Sequence, residues 1–148
     1  MMKKKLGIFG DTTEDYSLIQ NLLSLIKNKK LDYTNTFREL MSKSTKKQEY
    51  FKAKDFVNWH MAWKERLKKN NKSLESSLKI MEENNPFVRP RNHKVEEALE
   101  AISIDGDIEP VKKLLKIVSK PYLKQDGIDS YTTNPPTNDS KYQTFCGT

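Results

Sequence analysis

The side chains that could do chemistry in this chain are few and far apart. Cys146 is the only cysteine, so no internal disulfide can form. With His60 and His93 it makes too few soft ligands for a structural zinc site. Carboxylates pair up at Glu82 and Glu83, Glu96 and Glu97, and Asp105 and Asp107. Such pairs suit hard cations, but Asp105 and Asp107 flank Gly106 at an expected helix corner, where capping is the role the spacing favours. A triphosphate cradle needs clustered glycines whose N–H groups can approach the anion. The glycines here, Gly7, Gly10, Gly106, Gly127 and Gly147, are scattered, and Gly7-Ile8-Phe9-Gly10 is not followed by a Lys-Ser/Thr pair. No Gly-x-Ser-x-Gly elbow presents a nucleophilic serine. On residue types alone the chain is expected to hold no catalytic, cofactor-binding or metal-binding residues of its own.

The elements that would position these groups read as helices. Asp11-Thr12-Thr13-Glu14 has capping-box spacing, and Leu18, Ile19, Leu22, Leu23, Leu25 and Ile26 follow as an apolar stripe, which predicts a helix over 12–27. Thr36-Phe37-Arg38-Glu39 repeats the box and opens a short helix through Leu40 and Met41. Phe56, Trp59, Trp63 and Leu67 recur at helical spacing, so this aromatic stripe reads as a buried face, with His60 beside it. Another helix spans 73–83 and stops before Asn84-Asn85-Pro86. Val95, Ala98, Leu99 and Ile102 mark the next, closed by Gly106 as a left-handed cap. Pro110 then opens a helix with Val111, Leu114, Leu115 and Val118 as its apolar face, and Pro121 stops it. The expected fold is all-α: about five to six helices in an irregular bundle over residues 1–122, with an extended, irregular C-terminal tail over 123–148.

Composition narrows the possible functions further. Only 35% of the 148 residues are hydrophobic, so a single thin core is expected. No run approaches the roughly 20 apolar residues of a membrane span. The basic start, Met1 to Lys5, precedes an apolar stretch too short for a secretory signal, and the protein is read as cytoplasmic. The formal charge of +7 is concentrated between Lys43 and Lys72. That asymmetry can attract polyanions, and one reading is a small basic helical module that binds nucleic acid through residues 43–72. Against it, only Arg38, Arg66, Arg89 and Arg91 are arginines among 27 basic residues, and lysine suits a solvated surface better than base readout.

The least generic stretch is Asn84-Asn85-Pro86-Phe87-Val88-Arg89-Pro90-Arg91-Asn92-His93, where two prolines stiffen a basic, amide-rich turn between helices. Asn85-Pro86, Pro90-Arg91-Asn92-His93-Lys94-Val95-Glu96-Glu97-Ala98, Gly106-Asp107, Leu114-Leu115 and Pro121-Tyr122 together resemble the C-terminal part of the SelO/YdiU family. Lys5-Leu6-Gly7, residues 32–40, the Trp59 to Arg66 helix, Pro135-Pro136 and the terminal Thr144-Phe145-Cys146-Gly147-Thr148 keep the same order and similar spacing. The resemblance covers nearly the whole chain.

Members of that family look like protein kinases in fold and transfer AMP from ATP to protein hydroxyls, usually with magnesium. The resemblance implies that the nucleotide loop, the metal ligands and the catalytic base belong to a longer N-terminal portion with no counterpart here. The chain then reads as a non-catalytic helical fragment whose partner is that missing kinase-like portion, with ATP and magnesium implied for the intact protein only. It also implies a redox-regulatory role for Cys146, which occupies the place of the family's C-terminal selenocysteine or cysteine. Helices built to lean on a larger body should leave an apolar face exposed, which predicts a surface patch or self-association.

Overall fold

A computed structural model describes residues 1–42 and 49–133. The helices are α1 (Met2–Lys5), α2 (Asp15–Asn28), α3 (Tyr33–Met41), α4 (Lys54–Lys68), α5 (Leu74–Asn84), α6 (Asn92–Asp105), α7 (Glu109–Val118) and α8 (Asp129–Thr132), with a 3-10 turn at Glu49–Lys52. No strand occurs among the described residues. The all-α architecture is the one that the helical periodicity predicts.

Two helix starts differ from their expected positions. α2 begins at Asp15, later than Thr12, and has no side-chain cap; Asp15 accepts the Thr12 N–H at Oδ2 (3.1 Å) and the Thr12 hydroxyl at Oδ1 (2.7 Å). Asp15 faces inward toward a buried arginine, whereas Glu14 faces out and holds exposed Lys69 at 3.0 Å. The start of α3 comes a turn earlier than Thr36, because Asp32 accepts the Asn35 N–H at 2.7 Å. Thr36, wholly buried, donates its hydroxyl back to the Asp32 carbonyl instead of capping. In both places the acid at the start of the helix also faces an arginine. The remaining signals hold: Ser73 caps α5, Gly106 closes α6 at φ +67°, and Pro110 sits in the first turn of α7.

The main core packs α1 and the following Leu6–Ile8 strap against α2, α3, α4 and α5, with Leu6, Leu22, Phe37, Phe56 and Met81 almost wholly buried. Trp59 and Trp63 stack nearly parallel, ring centroids 6.0 Å apart. Each indole donates to a main-chain carbonyl, Trp59 to Leu18 (2.8 Å) and Trp63 to Leu6 (2.9 Å), so the rings bury area without orphaning their N–H groups. The aromatic stripe of α4 is therefore core. A smaller cluster joins Val88, Ile117 and Ile128 under α7.

Two pieces carried no helical signal. α1 is a single turn too short for a period, and α8 lies within the stretch expected to be irregular tail, yet Ile128 and Thr132 are buried. The inward face of α7 is also rotated from the expected one: Leu114 and Ile117 are buried, while Leu115 is 59% exposed.

Gly7 shows how tight the strap is. It holds φ +69°, and a Cβ there would stand 2.8 Å from the Ser77 carbonyl oxygen. Gly7→Ala is expected to cost about 2 kcal/mol or more, from the left-handed backbone alone and then from the clash. Urea denaturation should show the midpoint falling with the slope unchanged.

Candidate functional site

The most heavily built polar centre lies between the start of α2, the end of α4 and the strap. Arg66 Nε donates to Asp15 Oδ1 at 2.5 Å, Nη2 to the Phe9 carbonyl at 3.0 Å, and Nη1 to Asn70 Oδ1 at 3.0 Å. Asn70 passes the connection on, donating to the Gly7 carbonyl (2.8 Å) and the Ser77 hydroxyl (2.9 Å). Lys3 Nζ adds a second cation 3.3 Å from Asp15. Both members of the central pair are only 4% exposed. Burial pushes the Asp15 carboxyl up, but hydrogen bonds from Arg66, Thr12 and Lys3 outweigh it and hold the group well below the usual carboxylate range.

A second centre ties the Asn84–His93 turn to the fold. Asp32 pairs with Arg91 and, at 3.3 Å, with Arg89. Arg91 Nη2 reaches the Thr132 carbonyl at 3.3 Å, and Asn35 Nδ2 reaches the same oxygen at 2.9 Å. Burial again raises the Asp32 pKa and is outweighed, chiefly by the Arg91 hydrogen bond. Nearby, Asn85 is buried, donating to the Lys5 carbonyl (2.8 Å), while Lys5 Nζ donates to the Asn84 carbonyl (2.8 Å). The Lys5 ammonium lies 5.6 Å from the Phe37 ring centroid, and burial lowers its pKa. The amides and arginines of the unusual turn thus join α1, α3 and α8 together.

A cleft of about 580 Å³ opens between α3, α5 and the stretch before α8, and Arg38 and Lys124 share it with Glu39, Glu82 and Asp129. Those carboxylates would repel a triphosphate, so this cleft is a poor fit for the phosphates of ATP. Among the described residues no group of three or more His, Cys, Asp or Glu is placed to hold a metal. Asp107 accepts the Glu109 N–H at 2.9 Å, a capping role. His60 lies beside the Trp63 ring at 5.4 Å.

The basic stretch splits apart in space. Lys43, Lys46 and Lys47 lie outside the described residues, and Arg66 is buried. Lys68 pairs with Glu65 and Lys69 with Glu14. With Phe56, Trp59 and Trp63 in the core, the aromatic faces that base stacking would need are already taken. Cys146 also lies outside the described residues. No helix among the described residues is long and apolar enough to cross a membrane.

Sequence reasoning missed Asp15, Arg66, Asp32 and Arg91. The available signal was rarity: arginine supplies only four of 27 basic residues, and two of those four are buried. Its fork can satisfy several acceptors at once, which lysine cannot match.

Comparison with known proteins gives these centres a context. Residues 1–119 match a family described as Protein adenylyltransferase SelO. The chain belongs to the SelO family. Relatives named Protein nucleotidyltransferase YdiU include one from Alcanivorax borkumensis, 45% identical over 148 residues, covering all of this chain and 31% of the relative. One from Bacillus cereus is 41% identical over 147 residues, covering 99% of this chain and 30% of the relative. One from Bacillus thuringiensis is 42% identical with the same coverage. This SelO family chain thus spans about a third of the length of the curated relatives it matches.

Breaking the central pair should be costly. Arg66→Ala leaves a buried carboxylate without its main partner, and a loss of about 3–5 kcal/mol is expected on urea denaturation. The acid side of the stability profile should also change. Because folding depresses the Asp15 pKa, its contribution is complete above the unfolded value of about 3.9 and declines as the pH falls below it. Asp15→Asn should remove that part of the acid slope, measured as unfolding free energy between pH 5 and 2.

Proposed function

We propose that this chain is the C-terminal helical portion of a protein adenylyltransferase, non-catalytic by itself, which packs on a kinase-like portion and supports it. The intact protein transfers AMP from ATP, with magnesium, to hydroxyls of protein substrates. The observation that carries this reading is coverage: the whole chain aligns, at 45% identity, with 31% of a protein nucleotidyltransferase. Residues 1–122 form the supporting body, and 123–148 a C-terminal segment that docks on it through α8 and carries Cys146, a redox-regulatory thiol paired in the intact protein with a cysteine outside this chain. The cytoplasm is its compartment.

The test is a transplant. The corresponding segment of the Alcanivorax borkumensis relative is replaced by this chain, and transfer of labelled AMP from ATP to protein is measured. Activity within about tenfold of the parent, a barrier change of roughly 1.4 kcal/mol, is expected. A folded but inactive chimera would overturn the supporting role, and labelling by the isolated chain would overturn the non-catalytic one. In the chimera, Cys146→Ser should abolish any difference in activity between oxidised and reduced protein.

A further inference from the structure

The α6–α7 hairpin has one side turned to the body of the protein and one side left open. Ala98, Leu114 and Ile117 face inward and are buried. On the other flank, Val95, Leu99 and Ile102 of α6 and Val111, Leu115 and Val118 of α7 repeat at steps of four and three, the spacing of a bundle seam. Positions equidistant from Asp107 at the turn stand level with each other in such a hairpin, which sets Leu99 opposite Leu115, with Ile102 and Val111 nearer the turn. These seams are incompletely covered: Leu99 is 53%, Leu115 59% and Ile102 37% exposed. An apolar stripe shared by two packed helices is more than the scattered exposure a surface tolerates.

The rims of the stripe carry opposite charge. At about 100° per residue, Glu96 and Glu100 fall on the outer edge of α6, and Lys112 and Lys116 on the outer edge of α7. All four are exposed. Lys112 is held by Glu109 at 2.7 Å, an exposed i,i+3 pair of the kind that contributes little and can exchange partners. A face acidic along one edge and basic along the other complements itself. Turning a second copy about an axis parallel to the helices sets α6 over the partner's α7, acid rim over basic rim; an axis across the helices would set acid on acid.

We propose that the open face of the α6–α7 hairpin is a self-docking surface, on which a second copy of this chain packs to make an antiparallel four-helix bundle. The helices are short, so the interface lies at the low end of the specific range, roughly 1,000 Å² in total, and the dimer dissociates in the micromolar range.

Sedimentation equilibrium of the full 148-residue chain, from about 5 to 500 μM at low salt, tests this across the range where such a dimer forms. A reversible monomer–dimer equilibrium is expected. Leu115→Glu should give monomer with unchanged helical circular dichroism. Glu96→Lys with Glu100→Lys should weaken the dimer about tenfold, and adding Lys112→Glu with Lys116→Glu should restore it. Monomer at every concentration would overturn the proposal, as would a dimer indifferent to Leu115→Glu or a four-fold variant that does not recover. If the wild-type chain is monomeric and Leu99 and Leu115 become protected only within the chimera described above, the occupant is the longer chain of the relative and the self-docking reading is wrong. Activity of that chimera is a separate readout, so the two proposals can fail independently.

Discussion

A guanidinium and a carboxylate removed from water are tolerable only when nearly every lone pair and N–H finds a partner, and Arg66 with Asp15 impose that condition on everything around them. Thr12 must turn back onto the carboxylate, Phe9 must offer its carbonyl, and Asn70 must stand where it bridges the guanidinium to the strap. The consequence is geometric. The start of α2, the end of α4 and the Leu6–Gly10 crossing cannot move independently, so Leu6 is held under the Trp63 indole and Gly7 is held against α5. The apolar core supplies the larger driving force, while the polar centre decides which arrangement of helices is adopted.

The Asp32 centre works the same way at the other end of the molecule. One carboxylate caps α3 and neutralises two arginines from the proline-stiffened turn, while Arg91 carries the link on to the carbonyl that ends α8. Segments distant in sequence thereby share one polar group. Residues that looked distinctive for chemistry, the amides and arginines around Pro86 and Pro90, are distinctive because they satisfy a buried junction.

The legibility of the fold followed the length of the periodic signal. The long helices, the Ser73 cap, the Gly106 cap and the buried face of α4 could all be read, because each depends on contacts within a turn or two. Asp15 and Asp32 were missed because each is matched with a distant arginine, and periodicity is blind to a partner 51 residues away. Four-residue helices have no period at all, so α1 and α8 left no trace. The rotated face of α7 has a different cause. Val111, Leu115 and Val118 are as apolar as Leu114 and Ile117, and nothing in their pattern says which of them meets the body and which is left open.

The junction at Thr132 has a bearing on the thiol that follows it. Because Arg91 and Asn35 both hold that carbonyl, the backbone at Thr132 is a fixed point on the folded body. Covalent geometry allows the residues from Thr133 to Cys146 to reach no more than roughly 50 Å from there. A sulfur that pairs with Cys146, as proposed above, must lie inside that radius, which makes the anchor on α8 a ruler for locating it.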